Sequence, residues 1–244
     1  MRLKLYAIPA SHPCDAVAAA LALKGLEYER VDMVPGAHRF QGRLAYGART
    51  APGLKLDGER MAGSRAILRR LEEIAPAPPL FPSDPDALRR VEEAERWGDE
   101  IFQPLARRLT WAVLRRRPAA MESYAEGAHL PVPIWVARPT LPLVAQFSAR
   151  ANGAHDDAAR ADLRALPGHL ERIDGWIAQG VLGAEAPNAA DLQIGASIRL
   201  LASLGDVKPA LEGHRCASLT RYFPPMPGHV EAGVLPPDWT SPAA

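Results

Sequence analysis

Ser11 and Cys14, two residues with side chains able to take part in thiol chemistry, stand three positions apart near the start of the chain. Pro13, between them, is typical of the first turn of a helix. Val17 and Leu21 then follow at helical spacing. At a helix N-terminus, free N–H groups and the helix dipole favour an anion. The turn is therefore suited to hold a thiolate, either that of Cys14 itself or that of a small thiol bound beside Ser11.

The segments around this turn predict a small α/β unit. Apolar residues alternate with Lys4 and Tyr6 over residues 3–7, which predicts a half-buried strand. Further elements are a second strand over 28–33, a loop with a short irregular helix over 37–50, a hairpin turning at Asp57-Gly58, and a helix that Ser64 caps and that continues to Ile74. The order β-α-β, loop, β-β-α defines a first domain over residues 1–76.

Beyond a Pro-rich linker over residues 77–84, the pattern becomes helical, which defines a second domain over 85–222. Helices are predicted over 85–117, 140–152 and 156–179, for a very apolar helix after Asn188, and around 206–221, where Cys216 lies. Residues 118–139 form a long connection of the kind that builds lids or binding loops. Residues 223–244 are a Pro-rich C-terminal tail expected to drape over the surface.

Composition narrows the class of protein. The 244 residues carry a net charge of +1, which gives no bias toward a polyanion, and the arginines at 107, 108 and 115–117 are interpreted as a solvated helix end rather than a nucleic-acid site. Two cysteines far apart form neither a disulfide framework nor a metal-ligand pattern. No apolar run reaches the roughly 18 residues of a membrane span. We expect a cytoplasmic protein without a signal peptide, nucleic-acid partner, membrane partner or metal.

Four local motifs resemble the cytosolic glutathione S-transferase family, in the order and spacing that this family shows. They are the S-x-x-C turn at Ser11–Cys14, a V-P-x-L-like segment at Ala51–Leu54, an E-S-x-A-I-like segment at Gly63–Ile67, and an S/T-x-x-D-like capping box at Asn188–Asp191. The resemblance covers most of the chain. It implies a thioredoxin-like N-terminal domain followed by an all-helical bundle, a homodimer, and glutathione as co-substrate.

The resemblance also implies roles for individual residues. Ser11 would donate its hydroxyl to the glutathione sulfur and favour the thiolate, since hydrogen bonding to a charged form stabilises that form. A cis Pro52 would present the backbone of Ala51 to the thiol peptide. Ser64 would bind the γ-glutamyl carboxylate, with Arg65 as a nearby cation. The implied reaction is conjugation or reduction of an electrophilic small molecule.

Three features leave alternatives open. Gly63 stands where the family usually has an acidic or amide residue for the γ-glutamyl amine, which also permits a non-catalytic binding protein with this fold. Cys14 at a helix N-terminus permits a thiol–disulfide reductase, although Ser11 occupies the place of a second cysteine. Trp111 and Trp135 flank the long connection and are the candidates to line an apolar pocket for the electrophile, although aromatic residues at helical spacing are more often core.

Overall fold

A computed structural model describes residues 1–130 and 133–240 of the chain. Its first part is a four-stranded sheet with three helices. The strands are β1 (Leu3–Ala7), β2 (Glu29–Asp32), β3 (Gly53–Leu56) and β4 (Glu59–Ala62), and the helices are α1 (His12–Leu23), α2 (His38–Tyr46) and α3 (Ser64–Ile74). The sheet order is β2-β1-β3-β4, with β1 and β2 parallel and the other pairs antiparallel. This is the thioredoxin-like arrangement that the sequence predicts.

Local sequence explains these strands and their connections. Along β1, Leu3, Leu5 and Ala7 are buried while the residues between them are partly exposed, as a period of two requires. The β3–β4 hairpin turns at Asp57 and Gly58, whose φ angles of 48° and 99° are the positive values that tight hairpins need. The pairing of Tyr6 with Gly53 and of Gly53 with Ala62 brings the start of α1, the start of β3 and the start of α3 to the same end of the sheet.

The rest of the chain is helical. Its α-helices are α4 (Pro85–Trp97), α5 (Gln103–Leu114), α6 (Met121–Tyr124), α7 (Ile134–Ala137), α8 (Leu141–Ala151), α9 (Asp156–Ala178), α10 (Ala189–Ala202), α11 (Lys208–Leu211) and α12 (Pro237–Thr240). A π-helical segment, Gly98–Phe102, joins α4 to α5, and 3-10 turns occupy Pro118–Ala120, Arg138–Thr140 and Arg215–Tyr222. Residues 131 and 132, within the predicted long connection, lie outside the described residues.

Helix α10 is the element around which both domains pack. All but the last of its residues are buried, and apolar side chains from its different faces join both hydrophobic cores. Asn188 caps it by accepting from the N–H groups of Ala190 and Asp191, and the Asp191 carboxylate accepts from Asn188 N–H at 3.0 Å. The capping box predicted from the sequence is thus formed, with Asp191 also accepting from Gly183 N–H at 2.8 Å.

Polar contacts join α1 to its surroundings. Asp15 and Arg199 form a largely buried ion pair at 2.7 Å between α1 and α10. The Lys24 ammonium, also buried, donates to the Glu72 carboxylate at 2.7 Å and to the Pro78 carbonyl at 3.0 Å. The Asp15–Arg199 pair therefore fixes the first turn of α1, which follows Ser11, against α10, and Lys24 fixes the other end of α1 to α3 and the linker.

The structure corrects two predictions about the C-terminal part. The single helix expected over 206–221 is instead the short α11 and a separate 3-10 segment that holds Cys216, because Gly213, at a φ of 86°, turns the chain between them. The tail does not simply drape over the surface. Val230 pairs with Leu204, and Trp239 is buried in the helical core. The last four residues of the tail lie outside the described residues.

Neither a membrane-spanning helix nor a metal-binding cluster is found in the described part of the chain. Within residues 1–130 and 133–240, no helix is both long and apolar enough to cross a bilayer. The same residues contain no group of three or more His, Cys, Asp or Glu side chains placed to hold a metal ion.

Candidate functional site

A cleft of about 870 Å³ lies between the thioredoxin-like domain and the helices α5 and α8. The thioredoxin-like domain contributes the start of α1, the loop before β3 and the turn before α3. Predicted site residues that line the cleft are Ser11, Ala51, Ser64 and Trp111, together with Gly63. Those outside the lining are Cys14, Pro52, Arg65 and Trp135. The sequence thus identified residues that are distant along the chain but share one cavity.

Ser11 occupies the N-cap position of α1 but does not cap it. Its backbone is extended, its carbonyl accepts the first helical hydrogen bond, and its side chain makes no capping bond. The hydroxyl is half-buried at the cleft wall and contributes a hydrogen bond to the neighbouring Cys14 thiol. Because the hydroxyl makes no capping bond, a ligand in the cleft has only the Cys14 sulfur to compete with for its hydrogen.

Cys14 lies behind this wall rather than in it. Its side chain is fully buried in the core of the first domain. Burial raises the pKa of the Cys14 thiol to about 11, although the hydrogen bond from Ser11 acts in the opposite direction. A thiol that is both inaccessible and protonated at neutral pH is a poor nucleophile. The predicted role of Cys14 in thiol–disulfide exchange therefore has no support in this geometry.

We expect the folded protein to resist alkylation. Cys216 is also buried, and burial raises its pKa to about 12, so neither thiol is presented to a reagent. Mass spectrometry after a brief iodoacetamide pulse at pH 7.5 should show less than about one-tenth of the labelling obtained in denaturant, because only the thiolate reacts. Rapid modification of Cys14 in the native protein would restore the reductase hypothesis.

The loop before β3 brings backbone to the cleft. The Ala51–Pro52 peptide bond is cis, and Ala51 lines the cavity while Pro52 is buried behind it. The Pro52 carbonyl accepts from Gly63 N–H at 3.0 Å. This bond ties the start of β3 to the turn before α3, so that the two chain segments expected to contact a thiol peptide are held together.

Ser64 is the first residue of α3 rather than its cap, which corrects the sequence interpretation. Gly63 is the N-cap, at a φ of 89° that favours glycine, and no side chain caps this helix. The Gln193 amide of α10 donates to the Ser64 hydroxyl oxygen at 2.9 Å. Because that oxygen already accepts, the Ser64 hydroxyl hydrogen is oriented away from Gln193 and can donate to a ligand.

Arg65 is engaged elsewhere. Its guanidinium donates to the fully buried Glu95 carboxylate at 3.2 Å, and Arg69 donates to the same carboxylate at 2.8 Å. Leaving the Glu95 charge buried without these partners would be costly, so the two arginines are committed to it. Arg65 therefore joins α3 to α4 and does not line the cleft, contrary to its predicted placement as a ligand cation.

Of the two tryptophans predicted to line the pocket, only one does so. Trp111 lies on α5 and lines the cleft. Trp135, on the short α7, is 69% exposed and is absent from the lining, although its neighbours Val136 and Ala137 belong to it. The long connection does border the cavity, as predicted, but through residues other than its tryptophan.

The cleft residues that were not anticipated include Asp99, Gln103 and Arg107. Positions 99, 103, 107 and 111 are spaced four apart, so the sequence already indicated that these polar residues share one helix face with Trp111. Arg107 in particular was interpreted as a solvated helix end, but it is partly buried at the cleft wall. The π-helical turn that carries Asp99 is a feature often found at functional sites. Burial raises the pKa of the Asp99 carboxyl.

Comparison with known proteins agrees with this architecture. Residues 5–79 match the family described as glutathione S-transferase, N-terminal domain. A maleylacetoacetate isomerase of Pseudomonas aeruginosa is 41% identical over 97 residues, and that of Rattus norvegicus is 40% identical over 98. Residues 5–79 are therefore similar in sequence to the N-terminal domain of glutathione S-transferases. Each alignment covers 37% of this chain and 45% of the relative, so the match spans less than half the length of these enzymes.

Solved structures extend the likeness of fold to the helical part of the chain. The beta-etherase LigF from Sphingobium sp. strain SYK-6 superposes with a TM-score of 0.64 at 22% identity, covering 91% of this chain and 94% of that one. Poplar glutathione transferase F1 gives a TM-score of 0.61 at 13% identity, covering 91% and 90%. At such identities the likeness concerns the fold alone, which is a thioredoxin-like domain followed by helices.

Proposed function

We propose that this protein is a glutathione S-transferase-like enzyme, which activates a bound thiol for conjugation or reduction of an electrophilic small molecule. The observation that carries the proposal is that the starts of α1 and α3 open into one cleft, where Ser11 and Ser64 present hydroxyls. In this proposal residues 1–76 hold the thiol, residues 85–222 hold the electrophile and residues 77–84 link the two. The protein would act in the cytoplasm as a homodimer.

Ser11 would stabilise the thiolate of glutathione. A hydroxyl donor, together with the positive end of the α1 dipole, favours the ionised form of the sulfur and lowers its pKa toward neutrality. The thiolate then attacks the electrophile directly, and the leaving group departs from the electrophile. Holding both reactants in one cleft supplies the second part of the rate enhancement.

The peptide part of glutathione would lie along Ala51 and Ser64. The backbone of Ala51 pairs with the cysteinyl unit, and the Ser64 hydroxyl donates to the γ-glutamyl carboxylate at the N-terminus of α3. The Gln193 amide supports this role because it donates a hydrogen bond to the Ser64 oxygen, which leaves the Ser64 hydroxyl hydrogen free to donate to the ligand. These roles rest on the positions of the residues in the cleft.

Asp99 would supply the carboxylate that position 63 lacks. Gly63 has no side chain to bind the γ-glutamyl ammonium, but Asp99 lines the same cleft from the helical domain. Burial raises the pKa of Asp99, and an incoming ammonium would offset part of the cost of its buried charge. We therefore expect glutathione binding to weaken as Asp99 becomes protonated at acidic pH.

A second candidate is a glutathione-dependent isomerase. The relatives named maleylacetoacetate isomerase favour it, and the same Ser11 site would serve. In such a reaction the thiolate adds to an activated double bond, which rotates as a single bond before the thiolate leaves. Thiol is recovered unchanged in isomerisation and consumed in conjugation, so an assay of free thiol during turnover distinguishes the two.

Calorimetric titration with glutathione tests the proposed site. We expect the wild-type protein to bind, and Ser64→Ala and Asp99→Asn each to weaken binding roughly 10- to 100-fold, since hydrogen bonds to charged groups contribute about 1.5–3 kcal/mol. Exposed Ser218→Ala and Asp86→Asn are matched controls expected to leave binding unchanged. Absence of binding at high millimolar glutathione would reject the glutathione-dependent function.

A further inference from the structure

The face of helix α5 that borders the cleft changes from polar to apolar along the helix. Gln103, Arg107, Trp111 and Leu114 follow one another at intervals of four, four and three, and all four line the cavity. These intervals place them on one face of a helix, polar at its N-terminal end and apolar toward its C-terminal end. Across the cavity, α8 contributes Val144 and Phe147 at the apolar end. The second half of the cleft is thus an apolar chamber with a cation at one end.

Arg107 is the unusual member of this face. Its guanidinium donates to the Gln103 side-chain oxygen at 2.8 Å, and it makes no ion pair with any residue of the described ranges. The adjacent Arg108 differs, because it binds Asp162 through two hydrogen bonds of 2.6 and 2.7 Å. Burial lowers the pKa of Arg107, which reflects the cost of desolvating its charge. A partly buried cation that is in direct contact with no carboxylate of the described ranges is placed to pair with an anion from outside the chain.

The surroundings of Arg107 favour an anionic group with hydrogen-bond acceptors. The Gln103 amide nitrogen is buried and has no hydrogen-bond partner among the described residues, so it is a second unused donor beside the guanidinium. His12 and His38 also line this end, and burial lowers the pKa of both, so they are uncharged at neutral pH. Asp99 is the nearby acid that opposes an anion: it interacts electrostatically with Arg107, although the two described side chains form no direct ion pair.

We propose that the electrophilic co-substrate carries a carboxylate, which Arg107 and Gln103 bind, on an apolar body that lies against Trp111, Leu114 and the facing side of α8. This inference rests on the proposed function and specifies its substrate class. The planar guanidinium matches a carboxylate through two parallel hydrogen bonds. Four residues of helix, about 6 Å, separate Arg107 from Trp111, so the carboxylate and the apolar body are adjacent, as in an aryl carboxylate.

Binding of two unreactive, isosteric probes tests this site without turnover. We expect the wild-type protein to bind 3,5-dinitrobenzoate at least 10-fold more tightly than 3,5-dinitrobenzamide, by calorimetry at pH 7.5. Arg107→Gln should abolish that preference while leaving the amide affinity unchanged, and Arg107→Lys should retain part of it because a cation remains. Arg89→Gln, which alters an exposed arginine, is the control. Equal affinity for both probes in the wild type, or a preference that survives Arg107→Gln, would overturn the inference.

Thermal unfolding of each variant shows whether it is folded. If Arg107→Gln does not fold, the carboxylate preference of the Arg107→Lys variant, compared with that of the wild type, still tests the site. Failure of the proposed function is seen separately, as absence of glutathione binding or of turnover of 4-chloro-3,5-dinitrobenzamide. Turnover of this neutral electrophile with no carboxylate preference rejects the carboxylate site alone. A carboxylate preference that depends on Arg107 in a protein that does not bind glutathione supports the site and rejects the thiol-dependent function.

Discussion

Ser11→Ala should raise the pKa of enzyme-bound glutathione by about 1–2 units and lower the turnover number at pH 7 roughly 10- to 100-fold. The reason is that a hydrogen bond to a charged group contributes about 1.5–3 kcal/mol, and each pKa unit corresponds to about 1.4 kcal/mol. The Ser11 hydroxyl makes no capping bond, so its removal should cost α1 little. Thermal unfolding should therefore be nearly unchanged while activity falls.

The pH dependence separates this role from general damage to the cleft. At a pH above the raised thiol pKa, the thiolate forms without help, so the deficit of Ser11→Ala should shrink as pH increases. Ultraviolet absorbance of the bound thiolate across a pH titration measures the pKa directly. Cys14→Ala is the matched control and should retain turnover, because the Cys14 side chain is buried behind the wall. A pH-independent deficit, or loss of activity in Cys14→Ala but not in Ser11→Ala, would contradict the proposed role of Ser11.

The parts of the site that the sequence predicted depend on short-range rules. A strand, a turn with Pro13 and an apolar helix set the position of Ser11, and the Ala51–Pro52 segment leads directly into β3. The capping box that begins at Asn188 likewise lies within four consecutive residues. In each case neighbouring residues along the chain determine the local conformation, so local reasoning and the family resemblance suffice.

The parts that were missed depend on how distant elements pack. Arg107 is adjacent to Arg108, and only the tertiary structure distinguishes them, by placing Asp162 beside one and the cleft beside the other. Likewise, Arg65 was assigned to the ligand because it follows Ser64, but Glu95 lies across the domain boundary and binds it. The residues next to a charged side chain on an amphipathic helix do not predict which distant residue it will contact.

Helix α10 explains how distant positions become one site. Gln193 donates to Ser64, and one turn later the Ser197 hydroxyl lies 2.9 Å from His12 Nδ1, next to Ser11. The Ser197 hydroxyl also donates to the Gln193 carbonyl at 3.3 Å. The starts of α3 and α1 are thus held by successive turns of the same buried helix. Displacing α10 should therefore disturb both halves of the thiol site, and its capping box is the point at which this can be tested.

Asp191→Ala should lower the free energy of unfolding by about 2–4 kcal/mol, because it leaves the N–H groups of Gly183 and Asn188 without their acceptor. Asn188→Ala, which removes the other half of the box, should cost about 1 kcal/mol, a value typical of an N-cap. Denaturant unfolding measures both, and glutathione titration in the native baseline should show weaker binding in the more destabilised variant. Equal stability of Asp191→Ala and the wild type would show that the box does not fix α10.

The pH dependence of this loss has a definite sign. Burial raises the pKa of Asp191 to about 6, above the unfolded value of 3.8, although the hydrogen bonds from Asn188 and Gly183 act in the opposite direction. The folded state therefore binds the proton more tightly, so the contribution of Asp191 to stability is complete below pH 3.8 and decreases as pH rises through 6. We expect the difference in unfolding free energy between the wild type and Asp191→Ala to be about 1 kcal/mol larger at pH 5 than at pH 8. A difference that grows with pH would show instead that the ionised carboxylate is the form that α10 stabilises.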